Sequence, residues 1–320
     1  MALLYRDNRF LDHKTINHPE SAERIRRIHA MLDQHDFSQR CTTTSWQPAP
    51  VGRLESVHTP AYLEVLKQVS DQGGGQLDKD TVASRESWDV ACLAAGAVTD
   101  AVQRVIEGDD RRALCLVRPP GHHALQDRAM GFCLLNNIAL AAHSAIRKHG
   151  LDRVLIVDWD VHHGNGTQDV FWRDSQVGFF SIHRWPFYPG SGEQRETGEG
   201  PGLGATRNLP VTMGTSRSDY LALFQRELED FAARINPQLV LLSAGFDAHR
   251  LDPVGSLGLE TEDYQPLTRQ VMEIADAYCD GRLVSTLEGG YHLDALPQCV
   301  QVHLECLMDQ PTSRPSETSP

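Results

Sequence analysis

The sequence predicts an α/β fold: one domain in which a mainly parallel central sheet is covered by helices on both faces. Two observations predict this fold. Short apolar runs rich in β-branched residues alternate with longer helical stretches over most of the chain, and such alternation is typical of a parallel sheet buried on both sides. The 320 residues also suffice to bury a large core without disulfides. We expect one domain over residues 1–308 and a disordered polar tail over residues 309–320.

Each element follows from its local pattern. Short apolar runs bounded by turn residues predict buried strands, and they lie at Ala113–Val117, Arg153–Val157, Val177–Ile182, Leu239–Ser243 and Leu283–Leu287. Longer stretches with helical spacing predict helices, and they lie at Glu20–Gln34, Glu86–Glu107, Asn137–His149, Ser218–Ile235, Thr261–Tyr278 and Leu293–Met308. Two segments rich in Gly, Pro or Ser, Asp71–Asp80 and Trp185–Gly204, are expected to be surface loops.

The charge balance excludes some classes of function. Asp and Glu number 43 against 30 Lys and Arg, a net charge of −13. Such a surface repels the phosphates of nucleic acid and attracts small cationic ligands. The apolar stretches are too short to cross a bilayer. We therefore expect neither a nucleic acid partner nor a membrane partner.

The cysteines predict a reducing compartment. The seven are scattered singly, without a CxxC pair, which argues against a disulfide framework and against a zinc ribbon. The first residues also lack the pattern of a secretory signal. We therefore expect a cytoplasmic protein. The oligomeric state stays open, and a homo-oligomer is compatible with the sequence.

Polar, chemically reactive residues follow the predicted strands. The segments RPPGHHA, DWDVHHGNG, AGFDAH and EGGYH each come directly after a strand. In an open parallel sheet, ligands bind outside the carboxyl ends of the strands. We therefore expect these segments to build one composite site at that edge.

Asp158, Asp160 and His162 predict a divalent metal site. Alternation along a strand would place the three side chains on one face, where two carboxylates and an imidazole would be unfavourable without a cation. These ligand types suit Zn, Fe or Co. Asp247, which follows the strand Leu239–Ser243, is the best further ligand. The alternative is a strand end that bonds neighbouring loops, with Asp247 as a helix cap.

Three further side chains suit acid–base chemistry. His122 and His123 are adjacent, and two imidazoles in one pocket suit proton transfer near neutral pH. Tyr291 follows two glycines that let the backbone fold closely, so its phenol can donate a hydrogen bond to an oxyanion. The alternative for the two histidines is a metal-ligand pair or ordinary surface residues. The alternative for Tyr291 is an ordinary packed tyrosine.

Together these segments resemble the histone deacetylase family of the arginase/deacetylase superfamily, which includes bacterial acetylpolyamine amidohydrolases. The resemblance covers nearly the whole chain. It is class II-like, since Asn165 stands where class I members carry aspartate. The matching segments are His18–Arg24, Val57–Tyr62, Arg118–Ala124, Gly131–Ala139, Val157–Gln168, Ser181–Gly192, Ser243–Pro253 and Leu287–Leu293.

The resemblance implies a zinc-dependent deacetylase. It matches Asp160, His162 and Asp247 to the zinc ligands, with one ion per chain and Fe²⁺ as the alternative metal in the cell. It matches His123 to the general base and acid. It matches Tyr291 to the phenol that polarises the amide carbonyl.

The resemblance also implies supporting residues. Asp158 is matched to the aspartate that orients His122, and Asn165 to the group that orients His123. Asp158 is further matched to a structural potassium site. The other ligands implied for potassium are the Ser181 hydroxyl and the carbonyls of Asp160, His162 and Ile182.

A substrate tunnel is implied as well. Phe132 and Tyr188 match its aromatic walls, with Gly131 and Gly290 beside them, and Tyr188 replaces the commoner phenylalanine. Arg24 matches an internal channel for acetate release. Aromatic walls suit the apolar stem of an acylated lysine or polyamine, so the implied substrates are acetyl-lysine peptides or small cationic acylated amines.

Two other functions stay open at this point. A dimetal ureohydrolase shares the fold but would need further aspartates to bridge two metal ions. A non-catalytic acyl-amine binder, descended from a deacetylase, would be expected to lack a metal ligand or the tyrosine, and this sequence keeps every such position.

Overall fold

A parallel sheet lies at the centre of residues 1–309, the part of the chain that the computed structural model describes. Its strands are β1 Leu3–Tyr5, β2 Thr42–Thr43, β5 Arg112–Cys115, β6 Val154–Asp158, β7 Val177–Arg184, β8 Thr206–Val211, β9 Leu239–Ala244 and β10 Leu283–Leu287. The order across the sheet is β2-β1-β5-β10-β9-β6-β7-β8, and every pairing is parallel. All carboxyl ends therefore lie at one edge.

Helices cover the sheet. They are α1 Ala22–Gln34, α2 Phe37–Arg40, α3 Val51–Leu54, α4 Pro60–Asp71, α5 Ser87–Glu107, α6 Asn137–Arg147, α7 Asn165–Phe171, α8 Arg217–Ile235, α9 Tyr264–Tyr278 and α10 Ala295–Met308. Short 3₁₀ turns lie at Asn8–Leu11, Gly200–Gly202 and Thr261–Asp263. The predicted α/β fold is confirmed, because β6, β9 and β10 are buried along their whole length, as expected for strands covered on both faces.

The prediction of a surface loop at Asp71–Asp80 is wrong. A second sheet stands there, an antiparallel hairpin of β3 Gly74–Asp78 and β4 Thr81–Ser84. Its first strand begins with glycines, which sequence patterns treat as loop formers. The other predicted loop, Trp185–Gly204, contains no regular element except the 3₁₀ turn.

Three further sequence-based expectations concern the tail, membrane-spanning helices and the cysteines. The tail expected from residue 309 onward lies outside the described residues, apart from Asp309 itself. Within residues 1–309, no helix combines the length and apolar character that crossing a membrane requires. All seven cysteines lie in this part of the chain, and all are free and buried.

Candidate active site

The segment after β6 places Asp160 and His162, but not by strand alternation. The strand ends at Asp158, and residues 160–162 form a bend beyond it. The expectation that Asp158, Asp160 and His162 share a face because they alternate along one strand is therefore wrong. Hydrogen bonds within the bend hold the side chains instead: the Asp160 N–H donates to Asp158 Oδ1 at 3.1 Å, and the His162 N–H donates to Asp160 Oδ1 at 2.9 Å.

Asp160, His162 and Asp247 form a buried cluster with the spacing of a metal site. One candidate ligand atom from each lies within 4.8 Å of the others. His162 Nδ1 lies 3.0 Å from Asp160 Oδ1 and 3.1 Å from Asp247 Oδ2. A single ring N–H cannot serve both carboxylates well, whereas a cation would neutralise both. Two carboxylates and one imidazole are donors that suit zinc or iron, so the residues present fit the metal.

Backbone N–H groups orient the two carboxylates of this cluster. Asp160 Oδ2 accepts from the N–H of Gly289 at 2.9 Å, and Asp247 Oδ1 accepts from the N–H of Val161 at 2.9 Å. Gly289 is required at its position, since a β-carbon there would overlap the carboxylates of both Asp160 and Asp247. Such contacts fix the direction of metal ligands.

His122 and His123 are brought together beside this cluster, with ring centroids 4.0 Å apart. They have different partners. His122 Nδ1 lies 2.9 Å from Asp158 Oδ2, whereas His123 Nδ1 lies 2.7 Å from Asn165 Oδ1. One ring is therefore paired with a carboxylate and the other with a neutral amide.

These partners separate the two histidines electrostatically. Burial alone would lower the pKa of the His122 imidazole, but the carboxylates of Asp158 and Asp160 raise that pKa to about 10. Burial and the neighbouring His122 and His162 rings hold the pKa of His123 well below its usual range. At neutral pH the first ring is cationic and the second is neutral.

Tyr291 lines the same cavity as His123. Burial, together with nearby acidic groups, raises the pKa of its phenol well above the usual value despite the Arg24 guanidinium. The guanidinium carbon of Arg24 lies 4.9 Å from the centroid of the Tyr291 ring. Arg24 also donates to the carbonyl of Gly290 at 2.6 Å, to that of Glu288 at 2.5 Å and to Glu20 Oε1 at 3.1 Å. The phenol therefore stays protonated and able to donate.

A narrow cavity of about 200 Å³ leads to these groups. The predicted aromatic pair lines it together with residues from both sides of the site. Its lining consists of Asp80, His123, Gly131, Phe132, His162, Phe187, Tyr188, Val254 and Tyr291. Gly290, the neighbour of Tyr291 in the chain, is buried, and a β-carbon there would press on Leu296 and Phe246. The structure thus brings the predicted catalytic, metal and tunnel-wall residues to one place.

The residues suggested for potassium lie next to the cluster. Ser181 pairs with Asp158 in the register of β6 and β7, and its hydroxyl lies 2.9 Å from His183 Nδ1. Among the described residues, no backbone or side-chain donor reaches the carbonyls of Asp160 and His162. Unpaired carbonyl oxygens beside a buried hydroxyl are oxygen donors that fit a hard cation. Ile182 follows Ser181 on the same buried strand.

Sequence reasoning missed Glu288 and Asp252. Glu288 is fully buried, and its Oε2 accepts from the N–H groups of Gly121 at 2.7 Å and His122 at 3.2 Å, while Ser243 donates to Oε1 at 3.1 Å. Burial raises the pKa of this carboxyl to about 7. Asp252 accepts from the Tyr291 N–H at 2.7 Å. The available signal for Glu288 was an acidic residue directly after a buried strand.

This sheet, with its cluster at the carboxyl edge, has the arginase/deacetylase fold. The histone deacetylase domain family matches residues 18–307. The chain therefore belongs to the histone deacetylase family, and the family makes it a hydrolase of the deacetylase and amidohydrolase type.

Individual relatives agree with this assignment. The chain is 39% identical to a histone deacetylase-like amidohydrolase of Pseudomonas aeruginosa over 88% of this chain and 74% of the relative. It is 38% identical to a probable deacetylase of Archaeoglobus fulgidus over 88% of this chain and 78% of the relative. The crystal structure of the HDA15 HD domain superposes with a TM-score of 0.91 at 35% identity, covering 97% of this chain and 91% of that one.

Proposed function

We propose that the protein is a zinc-dependent amidohydrolase that removes acetyl or other acyl groups from acylated amines. The substrates would be Nε-acetyl-lysine in proteins or acetylpolyamines. The observation that carries the proposal is the aromatic-walled cavity that reaches His123, Tyr291 and the Asp–His–Asp cluster together. A cavity of about 200 Å³ suits a thin aliphatic stem.

The metal ligands are proposed to be Asp160, His162 and Asp247. Zinc held there would supply a Lewis acid that makes water more acidic and polarises a carbonyl. Fe²⁺ is the alternative in the cell. A structural potassium ion would be held by Asp158, Ser181 and Ile182, with the carbonyls of Asp160 and His162.

His123 is proposed to move the proton. Its Nδ1–H donates to Asn165 Oδ1, which leaves Nε2 unprotonated and free to accept a proton from the attacking water. The low pKa of His123 keeps that atom available at neutral pH. The proton is then delivered to the departing amine, since cleavage of an amide needs a protonated leaving group.

His122 and Tyr291 are proposed to stabilise charge. His122 holds its positive charge next to Asp158, which favours the negative charge that develops during attack. The Tyr291 O–H donates a hydrogen bond to the oxygen of the reacting carbonyl. A donor of this kind typically contributes about 10²–10³ in turnover.

Phe132 and Tyr188 are proposed to enclose the apolar stem of the substrate, with Gly131 and Gly290 shaping the adjoining backbone. The net charge of −13 favours substrates that carry further positive charge. The buried thiols are consistent with a reducing location, and a cytoplasmic site of action remains part of the proposal.

The proposal is tested by metal analysis and a kinetic panel on the purified chain. We expect about one zinc ion per chain and turnover of acetyl-lysine peptides, acetylated polyamines or longer acyl-lysines, compared by kcat/KM. About two divalent ions per chain would favour a ureohydrolase-like enzyme. Tight binding of acylated amines without any turnover would make the protein an acyl-amine binder instead.

A further inference from the structure

The wall of the cavity contains two consecutive residues with left-handed backbone. Gly131 has φ 55° and Phe132 has φ 69°. Gly131 must lack a side chain, since a β-carbon would overlap the His123 ring. Phe132 has no such freedom, and a bulky residue with positive φ is a conformational outlier that surrounding contacts must hold.

The two residues lie in a turn that the Cys133 N–H closes onto the Met130 carbonyl at 2.9 Å, and the hairpin β3–β4 binds the N–H groups inside that turn. The Phe132 N–H donates to Thr81 Oγ1 at 3.0 Å, and the Gly131 N–H donates to Asp80 Oδ1 at 3.2 Å. The Thr81 hydroxyl in turn donates to the same Asp80 oxygen at 2.8 Å. Thr81 is fully buried, so water cannot replace these bonds.

The orientation of the Phe132 ring depends on that backbone. The ring stands edge-on to Tyr291, with centroids 5.7 Å apart, and edge-on to His18, with centroids 4.5 Å apart. His18 also contacts the hairpin, because its Nε2 lies 2.9 Å from the Asp80 carbonyl. The hairpin therefore supports the Phe132 ring in two ways. It binds the backbone of Phe132 directly, and it contacts His18, which packs against the ring.

We infer that Thr81 is a positioning residue that fixes Phe132 as a wall of the substrate tunnel. The inference rests on the proposed function, since it deepens how the stem of the substrate is held. Thr81 does not line the cavity and acts only through the backbone of Phe132. Its hydroxyl should therefore govern binding of the stem more than the chemical step.

The test compares Thr81→Val with Thr81→Ser in the metal-loaded protein. Valine keeps the shape of threonine but removes both hydrogen bonds, whereas serine keeps the hydroxyl. With an acetyl-lysine peptide as substrate, we expect T81V to raise KM about three- to tenfold, the factor expected for the lost bond to the Phe132 N–H, with kcat within about twofold. T81S should stay within about twofold in both constants, which a general packing role would not predict.

A matched control removes another buried hydroxyl. Thr99 lies in α5 and donates to the carbonyl of Ala95 at 2.9 Å, and Thr99→Val should leave KM and kcat unchanged. An unchanged KM in T81V, or an equal loss in T81S, would overturn the inference.

A crystal structure of T81V decides the question independently of turnover. We expect the φ of Phe132 to change and its ring to shift against Tyr291, because its N–H loses its partner. If Phe132 keeps its φ and ring position, Thr81 is not what holds it. Absence of turnover in the parent enzyme on every acyl amine would instead contradict the proposed function, and this structure would still decide the role of Thr81.

Discussion

Asn165 Oδ1 lies 2.7 Å from Nδ1 of His123, so the histidine proposed as the base is oriented by a neutral amide. A carboxylate at this position would favour the charged imidazole more strongly than this neutral amide does. Burial and the adjacent His122 and His162 rings hold the pKa of His123 well below its usual range, and the bond to the neutral amide does not overcome them. The proton acceptor is therefore available over a wide pH range.

Asn165→Asp should move the acidic limb of the pH profile. A carboxylate beside Nδ1 raises the pKa of His123 by about one to three units, so the ring stays protonated, and unable to accept a proton, up to a higher pH. The limb of kcat/KM that rises with pH should accordingly shift to higher pH. The measurement is kcat/KM from pH 5 to 9 for both proteins, and superimposable profiles would show that Asn165 does not tune the base.

Tyr291→Phe should lose turnover but still bind the metal ion and inhibitors. Only the phenolic O–H is removed, so we expect kcat to fall about 10²–10³-fold while zinc content and inhibitor binding change little. Tyr220→Phe, a buried tyrosine in α8, is the control and should retain activity. Full activity of Tyr291→Phe on a fluorogenic acetyl-lysine substrate would remove this phenol from the mechanism.

Asp247→Ala should lose the metal. One of the two carboxylates of the cluster is removed, so we expect zinc retained after dialysis to fall at least about tenfold. Asp263→Ala removes another buried aspartate, one paired with Arg217, and should retain zinc. Equal zinc in the Asp247 variant and the parent, measured by mass spectrometry, would place the third ligand elsewhere.

Gly289→Ala should disturb the cluster of Asp160, His162 and Asp247, although none of these three residues is replaced. The added β-carbon would overlap the Asp160 and Asp247 carboxylates and displace them. We expect lower zinc content and little turnover, in a chain that still folds by circular dichroism. Gly52→Ala is the control, because nothing lies within 4 Å of a β-carbon there. Normal zinc affinity in Gly289→Ala would contradict this account of the close approach.

Acid should destabilise the fold through buried neutral histidines, and His303 offers a clear test. Burial lowers the pKa of His303 to about 3, and its ring nitrogens lie 2.7 Å from Thr268 Oγ1 and 2.9 Å from Ser285 Oγ. Below about pH 6.5 the unfolded chain takes up a proton at this residue, whereas the folded chain does not until about pH 3. Stability is therefore lost as the pH falls through this window, by up to about 1.4 kcal/mol per pH unit from this group.

Urea unfolding between pH 7 and 4.5 measures this effect. The free energy of unfolding should depend less steeply on pH in His303→Gln than in the parent, since glutamine keeps polar atoms but does not titrate. His35→Gln, at an exposed position, should keep the parent slope. Equal slopes in all three proteins would show that His303 binds no fewer protons when folded.

Strands were predictable from sequence where burial is complete on both faces. β6 and β9 each contain four consecutive apolar residues, and β10 is buried throughout although Ser285 and Thr286 interrupt its apolar run. β1 has only three residues, too few to give a pattern. β8 contains Arg207 and Pro210 and lies at the edge of the sheet, where alternation with solvent weakens the apolar signal.

The residues of the candidate site also divide into those that the sequence predicted and those that it did not. Asp160, His162 and Asp247 could be proposed because metal ligands are chemically distinctive residue types at strand ends. The roles of Glu288 and Thr81 could not be predicted, since they act on backbone N–H groups of residues 167 and 51 positions away along the chain. Only the folded chain shows which main-chain groups need such a partner.

The hairpin β3–β4 pairs with no strand of the large sheet, although its tip supports one wall of the cavity. On the proposed function, the reacting groups and part of the cavity wall are therefore held by separate parts of the molecule. The sheet edge holds the groups proposed to react, while the ribbon lines the cavity with Asp80 and holds the backbone of Phe132. Changes confined to that ribbon should therefore alter which acylated amines fit while leaving the metal ligands and the histidine pair in place.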